Sequence, residues 1–265
     1  MKKALLIGIN YTGTSSALNG CINDVQSIGN RLVSKFAFKP ENIRILTDNT
    51  VIKPTRENME SYIKALVQGA TSGDTLVFHY SGHGSNIKDA SGEESDGRDE
   101  VLVPLDYLQK GVIKDDWLFE NLSLQIPQGV KLVCFMDCCH SGTMIDLRVN
   151  IKSQCKPKTK SQTYNPAEWT DVFQITLDKN KQTLGTVISF SGCQDEQTSA
   201  DAHLNGKYQG AFTASLLEFL DSGKTDIKLR NILKEVNARM IIKNFQQTSQ
   251  LSLGRLEDLE SVFIL

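Results

Sequence analysis

An α/β fold built on a mostly parallel sheet is what this sequence predicts, on three observations. Short apolar runs alternate with segments of helical periodicity, the order that strand-helix units produce. The chain has 265 residues, enough to bury a sizeable core within one domain. Two stretches rich in reactive side chains, "HYSGHG" and "DCCHSG", each close an apolar run, as strands do when they deliver a site to the carboxyl edge of a sheet.

The strand candidates are "KALLIGI" at 3–9, "NIRILTD" at 42–48, "DTLVFHYSG" at 74–82, "KLVCFMD" at 131–137, "TVISFSG" at 186–192 and "SVFIL" at 261–265. Helices are predicted near 21–35, 55–69, 210–221 and 227–243. In the first, Ile22, Val25, Ile28, Leu32 and Val33 recur at close to 3.6-residue spacing, which would cover one face of the sheet. Residues 85–100 are polar and rich in turn formers, and read as a surface loop. Residues 147–185 carry many lysines with little periodicity and read as a long excursion, of the kind that is functional or mobile. One domain over 1–265 is expected, with regions 1–146 and 186–265 flanking that excursion.

Composition narrows the function classes. A formal net charge of -2 with 23% charged residues shows none of the basic excess of nucleic-acid binders. Only six apolar residues follow the two N-terminal lysines, too few for a secretory signal, and no run approaches a membrane span. A cytoplasmic protein is expected, without nucleic-acid or membrane partners. Its six cysteines then read as free thiols. The phosphate-binding glycine patterns of nucleotide-binding α/β proteins are missing.

Side chains alternate along a strand, so Ser81 and His83 project alike, as do Asp137 and Cys139. Cys138 and His140 fall on the other parity, and Cys138 is expected in the core. This pairs His83 as base with Cys139 as nucleophile, because a cysteine attacks as thiolate and an imidazole at the same edge promotes that form. Gly82, Gly84 and Gly142 permit close approach of a substrate backbone. Zinc is a poor fit, since adjacent strand residues cannot all face one ion and C-x-x-C spacing is absent. His79 reads as a core or rim histidine.

Across nearly its whole length the chain resembles the metacaspases, caspase-like cysteine peptidases. The residues that carry this are "ALLIGINY", "LNGCINDV", "YSGHG", "DGRDEVLVPLDY", "DCCHSG", "ISFSGCQDEQTSAD" and "GAFTASLLEFL". The resemblance is to a compact type I-like catalytic core with no prodomain ahead of the first strand. It implies a caspase-like three-layer sandwich with a central six-stranded, mostly parallel sheet between helices. Residues 1–146 would be the large-subunit-like part and 186–265 the small-subunit-like part.

The resemblance further implies a His83–Cys139 dyad, an oxyanion hole from the backbone N–H groups of Gly84 and Cys139, and a substrate pocket formed by Asp24, Ser81 and Asp137. Paired carboxylates repel unless a cation lies between them, so that pocket should take arginine or lysine before the scissile bond. Calcium is the implied activator, held by Asp99, Asp115, Asp116 and Asp146, hard oxygen donors of the kind it prefers. An EF-hand is a poor fit, with Glu94 where such a loop needs glycine. A peptidase cutting after basic residues could process itself at Lys158 or Lys160 in the excursion; Lys156 precedes Pro157 and is a poorer site. Family habit implies a monomer acting on protein or peptide substrates. The alternative is a catalytically silent caspase-like interaction scaffold.

Overall fold

The computed structural model describes residues 1–88, 98–158, 165, 169–178, 180–193, 201–204, 206–223 and 227–265. In chain order the first elements are β1 (Lys2–Gly8), α1 (Cys21–Phe36), β2 (Ile43–Thr47), α2 (Arg56–Val67), β3 (Thr75–Ser81), β4 (Gly84–Lys88), β5 (Arg98–Leu102), α3 (Tyr107–Lys110), β6 (Ile113–Lys114), α4 (Asp115–Leu118) and β7 (Lys131–Asp137). There follow β8 (Val149–Pro157), β9 (Trp169–Leu177), β10 (Thr186–Ser191), β11 (Asp201–Leu204), β12 (Lys207–Gly210), α5 (Ala211–Asp221), α6 (Leu229–Ile242) and β13 (Gln250–Leu253).

Strands that are apolar on both faces need a helical layer on each side, and β1 shows how this is met. Leu5 and Ile7 enter a core with Met59, Ile63 and Leu66 of α2. Ala4 and Leu6 enter a second core with Val25, Ile28 and Leu32 of α1, Phe212 and Leu216 of α5, and Leu233 and Val236 of α6. Three layers result, with the sheet in the middle. Val33, expected on the buried stripe of α1, is instead 39% exposed; the 100° step per residue carries it past the stripe that Leu32 ends.

The main sheet has eight strands in the order β2-β1-β3-β7-β10-β13-β8-β9. The pairings from β2 to β10 are parallel, and those from β10 to β9 antiparallel. This corrects the expected count of six, and the identity of one strand. The excursion at 147–185 contains the hairpin β8–β9, which pairs from Val149–Leu177 to Pro157–Trp169 and extends the sheet. In β8, Val149, Ile151, Ser153 and Cys155 are buried, a period of two that lysines and small polar residues hide in the sequence. The terminal segment 261–265 is not a sheet strand; Val262 makes an isolated bridge to Lys228, and Phe263 packs on the α5–α6 core. Its place in the sheet is taken by β13.

The expected surface loop at 85–100 is also partly regular, since β4 and β5 pair antiparallel and β6 adds a third strand; residues 89–97, including Glu94, lie outside the described residues. Asn86 and Glu100 face each other in that ladder, so polar composition concealed pairing rather than its absence. None of the six cysteines forms a disulfide. No described helix is long and apolar enough to cross a membrane.

Candidate active site

The parallel pairing of β3 with β7 sets the site. Its register places Tyr80 opposite Met136 and Ser81 opposite Asp137, and Gly82 N–H donates to the Asp137 carbonyl at 3.3 Å one step further on. His83 and Cys139 therefore leave adjacent strands at the same level of the rim. Cys138 is fully buried in the core shared with α2, whereas Cys139 and His83 are half-buried. Burial drives the Cys138 thiol well above its ordinary pKa, so it stays protonated. Gly84 lies against the Cys139 carbonyl and the Cys138 side chain, where a Cβ would collide with backbone. His140 has a positive φ of 52°, and its Nδ1 lies 3.2 Å from Asn86 Nδ2.

His83 is held by one backbone carbonyl and by two tyrosine side chains. Its Nε2 donates to the carbonyl oxygen of Ser16 at 2.7 Å, which fixes the tautomer and leaves Nδ1 as the nitrogen for proton transfer. Its ring lies 4.7 Å from that of Tyr11, centroid to centroid. Tyr11 Oη accepts from His83 N–H at 3.0 Å and donates to the Val103 carbonyl at 2.6 Å. Burial pushes the Tyr11 phenol upward, so it remains a donor. Tyr80 Oη donates to the His83 carbonyl at 2.7 Å. The signal that could have drawn attention to Tyr11 is its place directly after β1, at the same rim.

Beneath the rim, Asp24, Ser81 and Asp137 converge on the α1–α5 side. Asp24 lies in the first turn of α1, where the helix dipole favours a carboxylate, yet it also serves the rim. It accepts from Ser81 Oγ at 2.8 Å and from Gly210 N–H at 3.1 Å. Asp137 accepts from Thr213 N–H, in the first turn of α5, at 2.9 Å. Both carboxylates are nearly inaccessible, Asp24 at 0% and Asp137 at 4% exposure. Gly210 separates them, and a Cβ there would strike the Asp137 carboxylate. Sequence reasoning missed Gly210.

A second acidic cluster lies where β5, β6 and α4 meet. Carboxylate oxygens of Asp99, Asp115 and Asp116 all lie within 4.8 Å of one another. Asp99 Oδ1 is buried without a hydrogen-bond partner. Asp146 joins the cluster through Lys181, whose ammonium binds Asp146 and lies 3.3 Å from Asp116 Oδ1; Lys114 pairs with Asp99. Burial pushes Asp115 up to about 8, against backbone hydrogen bonds from Glu100 and Asp116, with the Glu100 and Asp146 charges adding to the rise. Burial also raises Asp146, opposed by Lys181. For Lys181 burial acts downward, but the hydrogen bond and charge of Asp146 outweigh it and hold the ammonium above its ordinary value. All-oxygen donors, one of them orphaned, and a lysine ammonium already drawn to them fit a hard divalent cation.

Comparison with known proteins bears on the family and the fold. Residues 2–148 match the family model of the metacaspase, peptidase C14 domain. The whole chain is 34% identical to Metacaspase-1 of Meyerozyma guilliermondii and spans 72% of that protein. Among solved structures, a protein from Geobacter sulfurreducens is similar with a TM-score of 0.67 at 24% identity, over 98% of this chain and 97% of that one. Caspase-1 from Spodoptera frugiperda shares the fold with a TM-score of 0.55 at 11% identity, over 99% of this chain and 88% of that one. A caspase-like α/β sandwich, a cysteine and a histidine at one rim, and a family match over more than half its length lead to one assignment: the chain belongs to the metacaspase family of cysteine-type peptidases.

Proposed function

We propose that this protein is a calcium-activated endopeptidase that hydrolyses peptide bonds after arginine or lysine through Cys139 and His83. The observation that carries the specificity is the pair of buried carboxylates, Asp24 and Asp137, meeting at Gly210 beside Ser81 and directly below the rim. Two such carboxylates attract a cationic side chain strongly, and the planar fork of arginine can bond both. An acidic side chain would meet like charge in a desolvated site.

In the chemical step His83 Nδ1 takes the Cys139 thiol proton, and the sulfur attacks the carbonyl carbon. The N–H groups of Gly84 and Cys139 stabilise the developing oxyanion. His83 then protonates the leaving amine, and water, activated by the same nitrogen, releases the acyl group. The Ser16 carbonyl holds the ring on its far side and stabilises the imidazolium. Calcium at Asp99, Asp115, Asp116 and Asp146 would supply positive charge that ties β5, β6 and α4 to the segment following Cys139. Self-processing would fall after Lys158, which directly follows β8, or after Lys160, which lies outside the described residues; Lys156, ahead of Pro157 and paired with Thr170 in the β8–β9 ladder, is the poorer site. The enzyme is further proposed to act as a monomer on protein or peptide substrates.

The test is hydrolysis of matched arginine, lysine and aspartate peptides by wild type, Cys139→Ala and Cys138→Ala, with calcium and with chelator. Arginine and lysine peptides should be cut in calcium, Cys139→Ala should be inactive and Cys138→Ala should retain most activity. Aspartate preference, or turnover by Cys139→Ala, would overturn the assignment.

A further inference from the structure

On the opposite side of His83 from the carboxylate pocket lies a cavity of about 320 Å³ whose walls include His83, Gly84, Ile87, Val103, Tyr107 and Val112. We propose that it is the subsite for the residue that follows the scissile bond, and that it selects an apolar or aromatic side chain there. The inference rests on the endopeptidase reading above.

Position is the first argument. Ser81 and Asp137 face α1 and α5, because their partners Asp24 and Thr213 belong to those helices. The neighbours of opposite parity, Tyr80, Met136 and Cys138, enter the core on the α2 side. The cavity belongs to that second side, since Val103 lies in the α2-side core and Tyr107 and Val112 pack on it. His83 stands between the two. A peptide whose basic residue enters the carboxylate pocket must cross the rim at Cys139 to continue. The amine released there takes its proton from His83, so the departing chain lies against His83 and Gly84. Gly84, which has no side chain to block the path, leads into the cavity.

Chemistry is the second argument. Among the described residues no lysine, arginine, aspartate or glutamate lines the cavity; its polar side chains besides His83 are Ser16, Ser85 and the phenol of Tyr107. Val101 is fully buried, whereas Ile87 at the mouth is 37% exposed. An uncharged, largely apolar wall gains by covering apolar surface, and it gives an entering charge no partner, which costs desolvation. Its volume is at the low end of ligand cavities, suited to one large side chain. Discrimination by such a pocket is roughly 10- to 100-fold.

The experiment uses the full chain in calcium with internally quenched peptides that share arginine before the bond and carry leucine, phenylalanine, glycine, aspartate or lysine after it. Leucine and phenylalanine should exceed aspartate and lysine by roughly 10- to 100-fold in kcat/KM. Val112→Asp should erase that preference and favour lysine, and Ile87→Glu, at the exposed mouth, should shift it the same way should the first variant fail to fold. A flat profile with arginine peptides still cut would overturn the subsite alone. No cleavage of any arginine peptide would instead overturn the endopeptidase reading and the subsite with it.

Discussion

Lys181 lies among the oxygens proposed to hold calcium, so replacing it separates two effects that a bound ion would join. Its side chain is 14% exposed and its partners Asp146 and Asp116 are 11% and 31% exposed. Breaking a fully buried ion pair costs about 3–5 kcal/mol because a charge is left without compensation. Partial exposure of Asp116 and the nearby Lys114 reduce this here, to about 2 kcal/mol for Lys181→Met. Methionine preserves packing against Phe119, whose ring centroid lies 5.1 Å from the Lys181 nitrogen. Without calcium the variant should melt roughly 4–8 °C below wild type, at about 2–4 °C per kcal/mol for a chain of this size. With calcium that loss should shrink towards zero, because the ion no longer competes with an ammonium for the same oxygens. Affinity should tighten about 10- to 30-fold, at 1.4 kcal/mol per factor of ten. Calorimetric melts in chelator and in calcium, with titration calorimetry of calcium into both proteins, measure these quantities. Unchanged or weaker calcium affinity in the variant, with the same loss of Tm in both conditions, would refute the reasoning.

Two further predictions follow from buried groups. Gly210→Ala should drive a methyl into the Asp137 carboxylate, and should lower kcat/KM for arginine peptides about 10- to 100-fold, the worth of one charged hydrogen bond; an unchanged value would show that Asp137 does not hold the substrate. His79 is fully buried with Nδ1 bonded to the Phe135 carbonyl and Nε2 unpartnered, and burial lowers it to about 4, only partly offset by that bond. Its folded pKa lies below the unfolded value near 6.5, so the unfolded chain binds the proton first and stability falls as pH drops from about 7 to 4. The gap amounts to about 3 kcal/mol, and His79→Gln, compared by urea unfolding at pH 7.5 and 5, should remove that part of the slope. An identical slope in the variant would count against it.

Much of the rim could be read from alternation alone. Parity placed Cys138 inside and set Cys139 beside His83, because an apolar run and its register follow from side-chain period. The hairpin β8–β9 escaped detection because its buried positions include Ser153 and Cys155, and its outward positions carry Lys152 and Lys156. A pattern of hydrophobic against polar is blind to a strand whose inward residues are small or polar. The Ser16 carbonyl was invisible for a different reason: any residue offers a carbonyl, and only the path of the chain decides which one reaches an imidazole. Lys181 went unnoticed because a single lysine 35 residues from Asp146 acquires meaning only when the chain folds.

The pairing of Ser81 with Asp137 gives the β7 strand something like a reading frame. With a period of two, deleting one residue between Lys131 and Met136 would leave the strand apolar and able to pair. Every later residue would then change sides: Cys138 would turn outward, Cys139 inward, and the Asp137 carboxylate would enter the oil of the α2 side. A frameshift of one position in a single strand would thus rewrite nucleophile, specificity and core together, while changing the composition hardly at all.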